Sequence, residues 1–219
     1  MRVPDGGILP PVIEQETRTP VALEQEIRKP VALAILLIVG GALGLLAAFE
    51  LTMDKFQVLE NANAHLSCNF SLIVQCGKNL SSPEGSAFGF PNPLIGLMCF
   101  PAPIIVGVAV LAGARFAKWF WALFNLGLLG AIAFVIWLIS VSIFHLGTLC
   151  PWCMLVWSVV IPMFIATTLH DLAEGNLLPA RGVRRVGAAL YGWTPLITLL
   201  AYLVVAVLAQ LRLNVLNYL

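Results

Sequence analysis

Five long apolar stretches constrain this chain more than any other feature of its sequence. A helix needs roughly 20 apolar residues to cross a hydrocarbon core about 30 Å thick. The stretches of suitable length are 31–53, 94–114, 119–145, 152–169 and 194–211. In lipid every backbone polar group must be satisfied within the protein, so each stretch is predicted to be a helix. The sequence therefore predicts an all-α integral membrane protein with five transmembrane helices.

The composition agrees with a membrane protein and excludes other classes. Of the 219 residues, 60% are hydrophobic and 11% are charged, whereas soluble domains carry about 25% charged residues. A net charge of +1 gives no indication of a nucleic-acid partner. Residues 1–29 are polar and contain no apolar core of signal-peptide length, so we expect the first span to act as its own insertion signal.

The distribution of Lys and Arg between the spans predicts the orientation, because cytoplasmic loops are enriched in both residues. Nine of the twelve fall on the side that includes the N-terminus. These nine are Arg2, Arg18, Arg28, Lys29, Arg115, Lys118, Arg181, Arg184 and Arg185. The other three are Lys55, Lys78 and Arg212. With five spans, this predicts a cytoplasmic N-terminus and an extracytoplasmic C-terminus.

Four cysteines then lie on the predicted outer face. Cys150 and Cys153 form a C-x-x-C motif between the third and fourth spans, and the outer loop 54–93 contains Cys68 and Cys76. Outside the cytosol, cysteines tend to cycle or pair. A C-x-x-C motif is also found as half of a zinc site or as an inert bridge. Cys99, inside the second span, is interpreted as a small buried hydrophobic residue.

The C-x-x-C motif stands at the predicted start of a helix. Pro151 suits the first helical turn, because its missing N–H is one that the helix leaves unpaired. The helix dipole and the motif itself are expected to lower the pKa of the first thiol, Cys150. These features favour redox chemistry over a purely structural role.

The order and spacing of Cys68, Cys76 and the Cys150–Cys153 motif resemble the bacterial branch of the vitamin K epoxide reductase family. Ser82 and the run Phe88-Gly89-Phe90-Pro91-Asn92-Pro93 between them strengthen this resemblance. It implies a four-helix catalytic bundle over residues 30–170 that surrounds a quinone near the outer face. Residues 1–29 are then a cytoplasmic tail, and 171–219 contain a cytoplasmic loop and the fifth span.

The resemblance also implies an activity, a cofactor and a partner. Cys68 and Cys76 take electrons from a separate thioredoxin-fold (DsbA-like) disulfide oxidase, and they pass these electrons to Cys150 and Cys153. Cys153 faces the quinone, which is of the menaquinone, ubiquinone or vitamin K type. Such an enzyme supports disulfide formation in exported proteins from the plasma or inner membrane, with its active site on the extracytoplasmic side.

Three further residues are assigned to the quinone by the resemblance. Asn92 matches the family's ring-contacting asparagine, with a turn residue as the simpler interpretation. Ser82 matches a family Ser or Thr, with a turn hydroxyl as its alternative. Trp157 stands four residues after Cys153, where vertebrate relatives have a tyrosine, so it brings an indole without the hydroxyl.

Two alternatives of another functional class stay open at this level. One is a zinc protein whose four outer cysteines and a histidine bind the metal. The other is a non-catalytic multispan protein whose loop is held by structural disulfides. His65 and His145 lie near the outer surface, where a histidine can donate a proton to a reduced quinone or simply be solvated. Glu50, near the outer end of the first span, is a minor functional candidate.

Overall fold

The structure is a computed structural model that describes residues 30–61, 66, 68–71 and 73–214. The predicted tail 1–29 and His65 lie outside the described residues. Within the described residues the regular structure is helical, and the only strand-like pairing is an isolated parallel bridge between Val74 and Leu149.

The described chain contains eight α-helices. They are α1 (Val31–Glu60), α2 (Gly77–Ser81), α3 (Pro93–Cys99), α4 (Pro101–Leu111), α5 (Lys118–Ser140), α6 (Pro151–Glu174), α7 (Arg181–Tyr191) and α8 (Thr194–Leu213). A 3-10 turn covers Pro83–Ser86, and a π-helical segment, Val141–Leu146, continues α5. Five helical units are long and apolar enough to cross a membrane: α1, α3 with α4, α5 with its π-helical extension, α6, and α8. These five candidate spans correspond to the five apolar stretches predicted from the sequence.

Helix α1 continues past Met53, where the sequence predicts the first span to end, as far as Glu60. The first part of the predicted outer loop is therefore helical. Asp54 lies within this extension and is only 5% exposed. The acid that marks the expected start of the loop is thus buried against other parts of the protein.

Small residues allow α1 and α4 to pack closely. A Cβ atom added to Gly107 would lie 2.6 Å from the backbone oxygen of Ala34, and one added to Gly41 would lie 2.7 Å from Cγ1 of Ile104. Such close approach of two backbones is the usual reason for small residues at helix interfaces in membranes. It brings the second span against α1 on one side of the bundle.

Helix α6 is the central element, because it packs against α1, α5, α7 and α8. Helices α1, α3, α4, α5 and α6 form the four-span group that encloses the site described below. Helix α8 lies against α6, where the Tyr202 hydroxyl donates a hydrogen bond to the Ser158 carbonyl. Most of its other large side chains are exposed, as expected for a span that faces lipid on several sides.

Candidate functional site

The two cysteine pairs meet at one end of the bundle. Cys68 and Cys76 form a disulfide with a Cα–Cα distance of 5.8 Å, and Cys150 and Cys153 are thiols. The Sγ atoms of Cys76 and Cys150 are 3.2 Å apart. A thiol at this distance from a disulfide is placed for direct exchange.

The bridge between Val74 and Leu149 sets this contact. The Gln75 N–H donates to the Leu149 carbonyl over 3.0 Å, and the Leu149 N–H donates to the Ile73 carbonyl over 2.7 Å. The two segments run parallel, so the chain that follows Val74 advances beside the chain that follows Leu149. This register carries Cys76 towards Cys150.

Three side-chain hydrogen bonds hold the loop down around the bridge. Lys78 Nζ donates to the Leu146 carbonyl over 2.6 Å, and the Thr148 hydroxyl donates to Asn79 Oδ1 over 2.9 Å. From the other side, Lys55 Nζ donates to the carbonyl at the end of α2, that of Leu80, over 2.5 Å. The loop therefore docks on both α1 and the segment before α6.

Cys150 is the N-cap residue of α6, as the position of Pro151 predicts. The Cys153 N–H donates to its sulfur over 3.4 Å. The Cys153 thiol and the backbone N–H groups of Cys153 and Trp152 hold the pKa of Cys150 below its usual range, in spite of the burial that opposes ionisation. The local sequence thus creates a thiol that ionises readily and leaves readily.

A large apolar cavity lies beside the C-x-x-C motif, between the four spans. Its volume is about 1050 Å³, and Cys153 lines it while Cys150 does not. It extends from Asn92, at the start of α3, to Phe124 on α5. The lining is mainly aliphatic and aromatic, so the cavity suits a hydrophobic molecule with one end close to the Cys153 sulfur.

The three predicted quinone contacts all line this cavity, and they differ in how their polar groups are used. Asn92 accepts a hydrogen bond from the Ala87 N–H over 3.0 Å and donates one to the Glu84 carbonyl over 2.6 Å. An amide nitrogen carries two hydrogens, so Asn92 keeps one further donor.

The Ser82 hydroxyl is engaged within its own turn. Its hydroxyl accepts from the Gly85 N–H over 3.1 Å and donates to the Asn79 carbonyl over 2.9 Å. Trp157 is buried, and its Nε1 has no hydrogen-bond partner among the described residues. A buried donor without a partner is uncommon in folded proteins.

The interpretation of Cys99 as a buried residue is wrong, because its side chain is exposed and lies at the cavity wall. It ends α3. Within that helix Gly96 faces α1, with its added Cβ atom 2.7 Å from the Ala48 Cβ. His145 is exposed at the end of the π-helical segment.

Sequence reasoning missed Asp54. Its Oδ2 atom lies 3.2 Å from Cys68 Sγ. The available signal was a second acid one helical turn after Glu50, which places both on one face if the helix continues. The ligand atoms of Asp54, Cys68 and Cys76 lie within 4.8 Å of one another. Two of them are joined in the disulfide, which leaves no thiolate there for a metal in this state.

Comparison with known proteins identifies a family. The model of the vitamin K epoxide reductase family matches residues 35–168. No curated protein and no solved structure matches the chain. The matched range contains the four cysteines of the site and the cavity-lining residues Asn92, Ser82 and Trp157. It also covers α3, α4 and α5 entirely and most of α1 and α6.

Proposed function

Because the chain belongs to the vitamin K epoxide reductase family, we propose that it is a quinone-dependent thiol–disulfide oxidoreductase that reoxidises a separate thioredoxin-fold disulfide oxidase. The observation that carries this proposal is the 3.2 Å contact between Cys76 Sγ and Cys150 Sγ. This contact joins the loop disulfide to a C-x-x-C motif whose second cysteine lines an apolar cavity.

The electron relay consists of successive thiol–disulfide exchanges. A thiolate of the reduced partner attacks Cys68, which frees Cys76. Cys76 then attacks Cys150 in the oxidised motif and releases Cys153 as a thiolate at the cavity. The second thiol of the partner releases Cys68, and Cys68 attacks Cys76 to re-form the loop disulfide and free Cys150. The arrangement in the structure, with an oxidised loop beside two thiols, corresponds to the product of this sequence.

Partner access requires the loop to move. Cys68 is 3% exposed and Cys76 is fully buried, so an attacking thiolate has no path to the disulfide while the loop is docked. The loop is held by hydrogen bonds and one strand-like bridge, with Lys78 exposed at the surface. We therefore infer that the docked state exchanges electrons with Cys150 and an undocked state meets the partner.

The residues around the cavity fit a quinone. A bound quinone supplies an acceptor for two electrons and two protons. The volume of about 1050 Å³ is slightly above the usual range for ligand cavities, roughly 300–1,000 Å³, which leaves room for an isoprenoid tail. Asn92 contributes a free N–H donor for a ring carbonyl, and the Trp157 indole lines the cavity, where it can stack on the ring. The apolar walls exclude water from the reacting groups.

The test is electron transfer by the protein in lipid nanodiscs. Reduced thioredoxin-fold oxidase is added with a panel of ubiquinone, menaquinone and vitamin K epoxide, and the quinone absorbance is followed. We expect two electrons to pass per partner disulfide formed, and no transfer in Cys150→Ser. Unchanged absorbance with every quinone, under conditions where the protein is folded, would refute the proposal.

The assignment of Asn92 has its own test. Asn92→Ala removes a donor to the developing quinol oxygen, a loss of about 1–3 kcal/mol, which corresponds to roughly tenfold to a hundredfold in rate. We expect quinone reduction to slow by this factor while oxidation of the partner by the preformed loop disulfide keeps its rate. Ser82→Ala is the control variant, because the Ser82 hydroxyl is already bonded to the Gly85 N–H and the Asn79 carbonyl. Equal losses in the two half-reactions of Asn92→Ala would assign Asn92 to the fold instead.

A further inference from the structure

Asp54 is a buried acid beside a reacting sulfur. It lies near the end of α1 and is 5% exposed. Its carboxylate and the sulfurs of Cys68 and Cys76 lie within 4.8 Å of one another, and these two cysteines belong to a buried cluster with Leu51, Leu66, Leu80 and Cys150. Burial of a carboxyl group is costly unless the group is paired. Its Oδ2 lies 3.2 Å from Cys68 Sγ, which is within proton-transfer distance for a sulfur and an oxygen.

The neighbouring charges leave this carboxyl group directed at the cysteines. Glu50, one turn earlier on α1, is half-buried and of the same charge. Lys55, the next residue, donates a hydrogen bond from its ammonium group to the Leu80 carbonyl instead of pairing with Asp54. Among the described residues of the loop and of α6, the sulfurs of Cys68 and Cys76 lie within 4.8 Å of the Asp54 carboxylate, and Cys150 is close enough to feel its charge.

We propose that Asp54 is the catalytic base that takes the proton of Cys68 when Cys68 re-forms the loop disulfide. The inference rests on the function proposed above and names a residue that this function did not use. In the step, the Cys68–Cys76 bond forms and the Cys76–Cys150 bond breaks. The proton of Cys68 moves to Asp54 Oδ2, and the electron pair of the broken bond leaves on the Cys150 sulfur. In the reverse direction, Asp54 returns the proton to Cys68 as it leaves.

The surroundings stabilise the thiolate of Cys150, the leaving group in this step, but not that of Cys68, the attacking group. Cys150 has the N–H groups at the start of α6 and the Cys153 thiol to stabilise its thiolate. Cys68 lies in the loop, before the first turn of α2, so it has no helix N-terminus of its own. An unassisted thiol with a pKa of about 8.5 is only about 3% ionised at pH 7, which makes a base at Cys68 effective.

The experiment measures the decay of the Cys76–Cys150 bridge in the full-length protein in nanodiscs. Reduced partner is added, the reaction is stopped with acid, free thiols are labelled with a maleimide, and the peptides are mapped. In Asp54→Asn we expect the bridge, with Cys68 labelled, to decay about thirtyfold more slowly than in the wild type at pH 7. At pH 9 Cys68 ionises without a base, and the difference should fall to about twofold or less. Glu60→Gln, an exposed acid on the same helix, should behave as the wild type.

Each other outcome has one meaning. Equal slowing of Asp54→Asn at pH 7 and pH 9 would assign Asp54 to packing and overturn the inference, as would wild-type decay at both pH values. If Asp54→Asn does not fold, Asp54→Glu is used instead, because it keeps the carboxyl group. Its bridge decay should be as independent of pH as that of the wild type. A steep pH dependence of the decay in Asp54→Glu would also overturn the inference. A wild-type protein that forms no bridge and reduces no quinone would instead refute the proposed function.

Discussion

Cys76 and Cys150 are the residues through which the two cysteine pairs communicate, since their sulfurs are 3.2 Å apart. Cys153→Ser tests this directly. In this variant the bridge forms when the Cys150 thiolate attacks Cys76 of the loop disulfide and Cys68 leaves. Without Cys153 the bridge can no longer pass on to a Cys150–Cys153 disulfide and returns only by the reverse attack of Cys68, so we expect it to accumulate with Cys68 as a thiol, and quinone reduction to stop. Non-reducing peptide mapping measures the bridge, and Cys99→Ser is the control with the relay intact. A dominant Cys68–Cys150 bridge would reverse the roles of the loop cysteines.

The lowered pKa of Cys150 predicts how the rate of thiol–disulfide exchange depends on pH. The Cys153 thiol and the backbone N–H groups of Cys153 and Trp152 lower this pKa, so the thiolate persists below the ordinary thiol value of about 8.5. Exchange through Cys150 should therefore hold its rate as the pH falls through 8 and decline only below the lowered pKa. Ultraviolet thiolate absorbance of the reduced protein, minus that of Cys150→Ser, gives the midpoint. Cys153→Ala should raise it, and a wild-type midpoint at or above 8.5 would contradict the assignment.

Some of these residues could be identified from the sequence and others could not. The C-x-x-C motif and Pro151 indicate a thiol at a helix start, because the geometry of a first helical turn is local. The contact of Cys76 with Cys150 depends on the bridge between Val74 and Leu149, which is a tertiary pairing without local signal. The position of Asp54 one turn after Glu50 is visible in the sequence, but its burial and its contact with Cys68 result from packing against the loop and are not.

At the level of elements, the α1–α4 interface depends on small residues, and a matched pair of glycines tests it. A Cβ atom on Gly107 would lie 2.6 Å from the Ala34 carbonyl oxygen, whereas one on Gly127 would meet nothing within 4 Å. We expect Gly107→Ala to destabilise the protein by about 1–3 kcal/mol through overpacking. Gly127→Ala should be neutral or slightly stabilising, because alanine favours helix. Thermal unfolding in detergent measures both, and equal midpoints would show that α1 and α4 separate without cost.

The sequence predicts the five apolar spans, but it does not predict the boundaries that depend on tertiary packing or on a proline. Apolar length predicts each span, because backbone groups in lipid force a helix. Helix α1 ends at Glu60, beyond Asp54 and Lys55, since these two charged residues are accommodated by the docked loop. The second span is divided at Phe100, between α3 and α4, where Pro101 supplies no N–H to continue the hydrogen bonding.

At the scale of the whole molecule, the redox groups and the cavity belong to the four-span group, and α8 stands beside it. The family match ends at residue 168, before α7 and α8 begin. Helix α8 contributes Tyr202, which binds the Ser158 carbonyl on α6, and few other buried side chains. This arrangement leaves the fifth span as a support for α6 rather than a wall of the cavity.

The orientation of the molecule is the last prediction, and the proposed chemistry depends on it. Nine of twelve Lys and Arg residues lie on the side of the N-terminus. Two of the other three, Lys55 and Lys78, donate to the backbone carbonyls of Leu80 and Leu146, so they have a structural role at the end of the bundle that holds the cysteines. The bias therefore predicts a cytoplasmic N-terminus and extracytoplasmic cysteines.

Reporter fusions measure this orientation. A fluorescent protein that folds only in the cytoplasm should be bright at the N-terminus and dark at the C-terminus. Alkaline phosphatase, which needs an oxidising compartment, should be active only at the C-terminus. The opposite pattern would place Cys68, Cys76 and the C-x-x-C motif in the reducing cytosol. A disulfide between Cys68 and Cys76 would not persist there, and the direction of electron flow proposed here would fail with it.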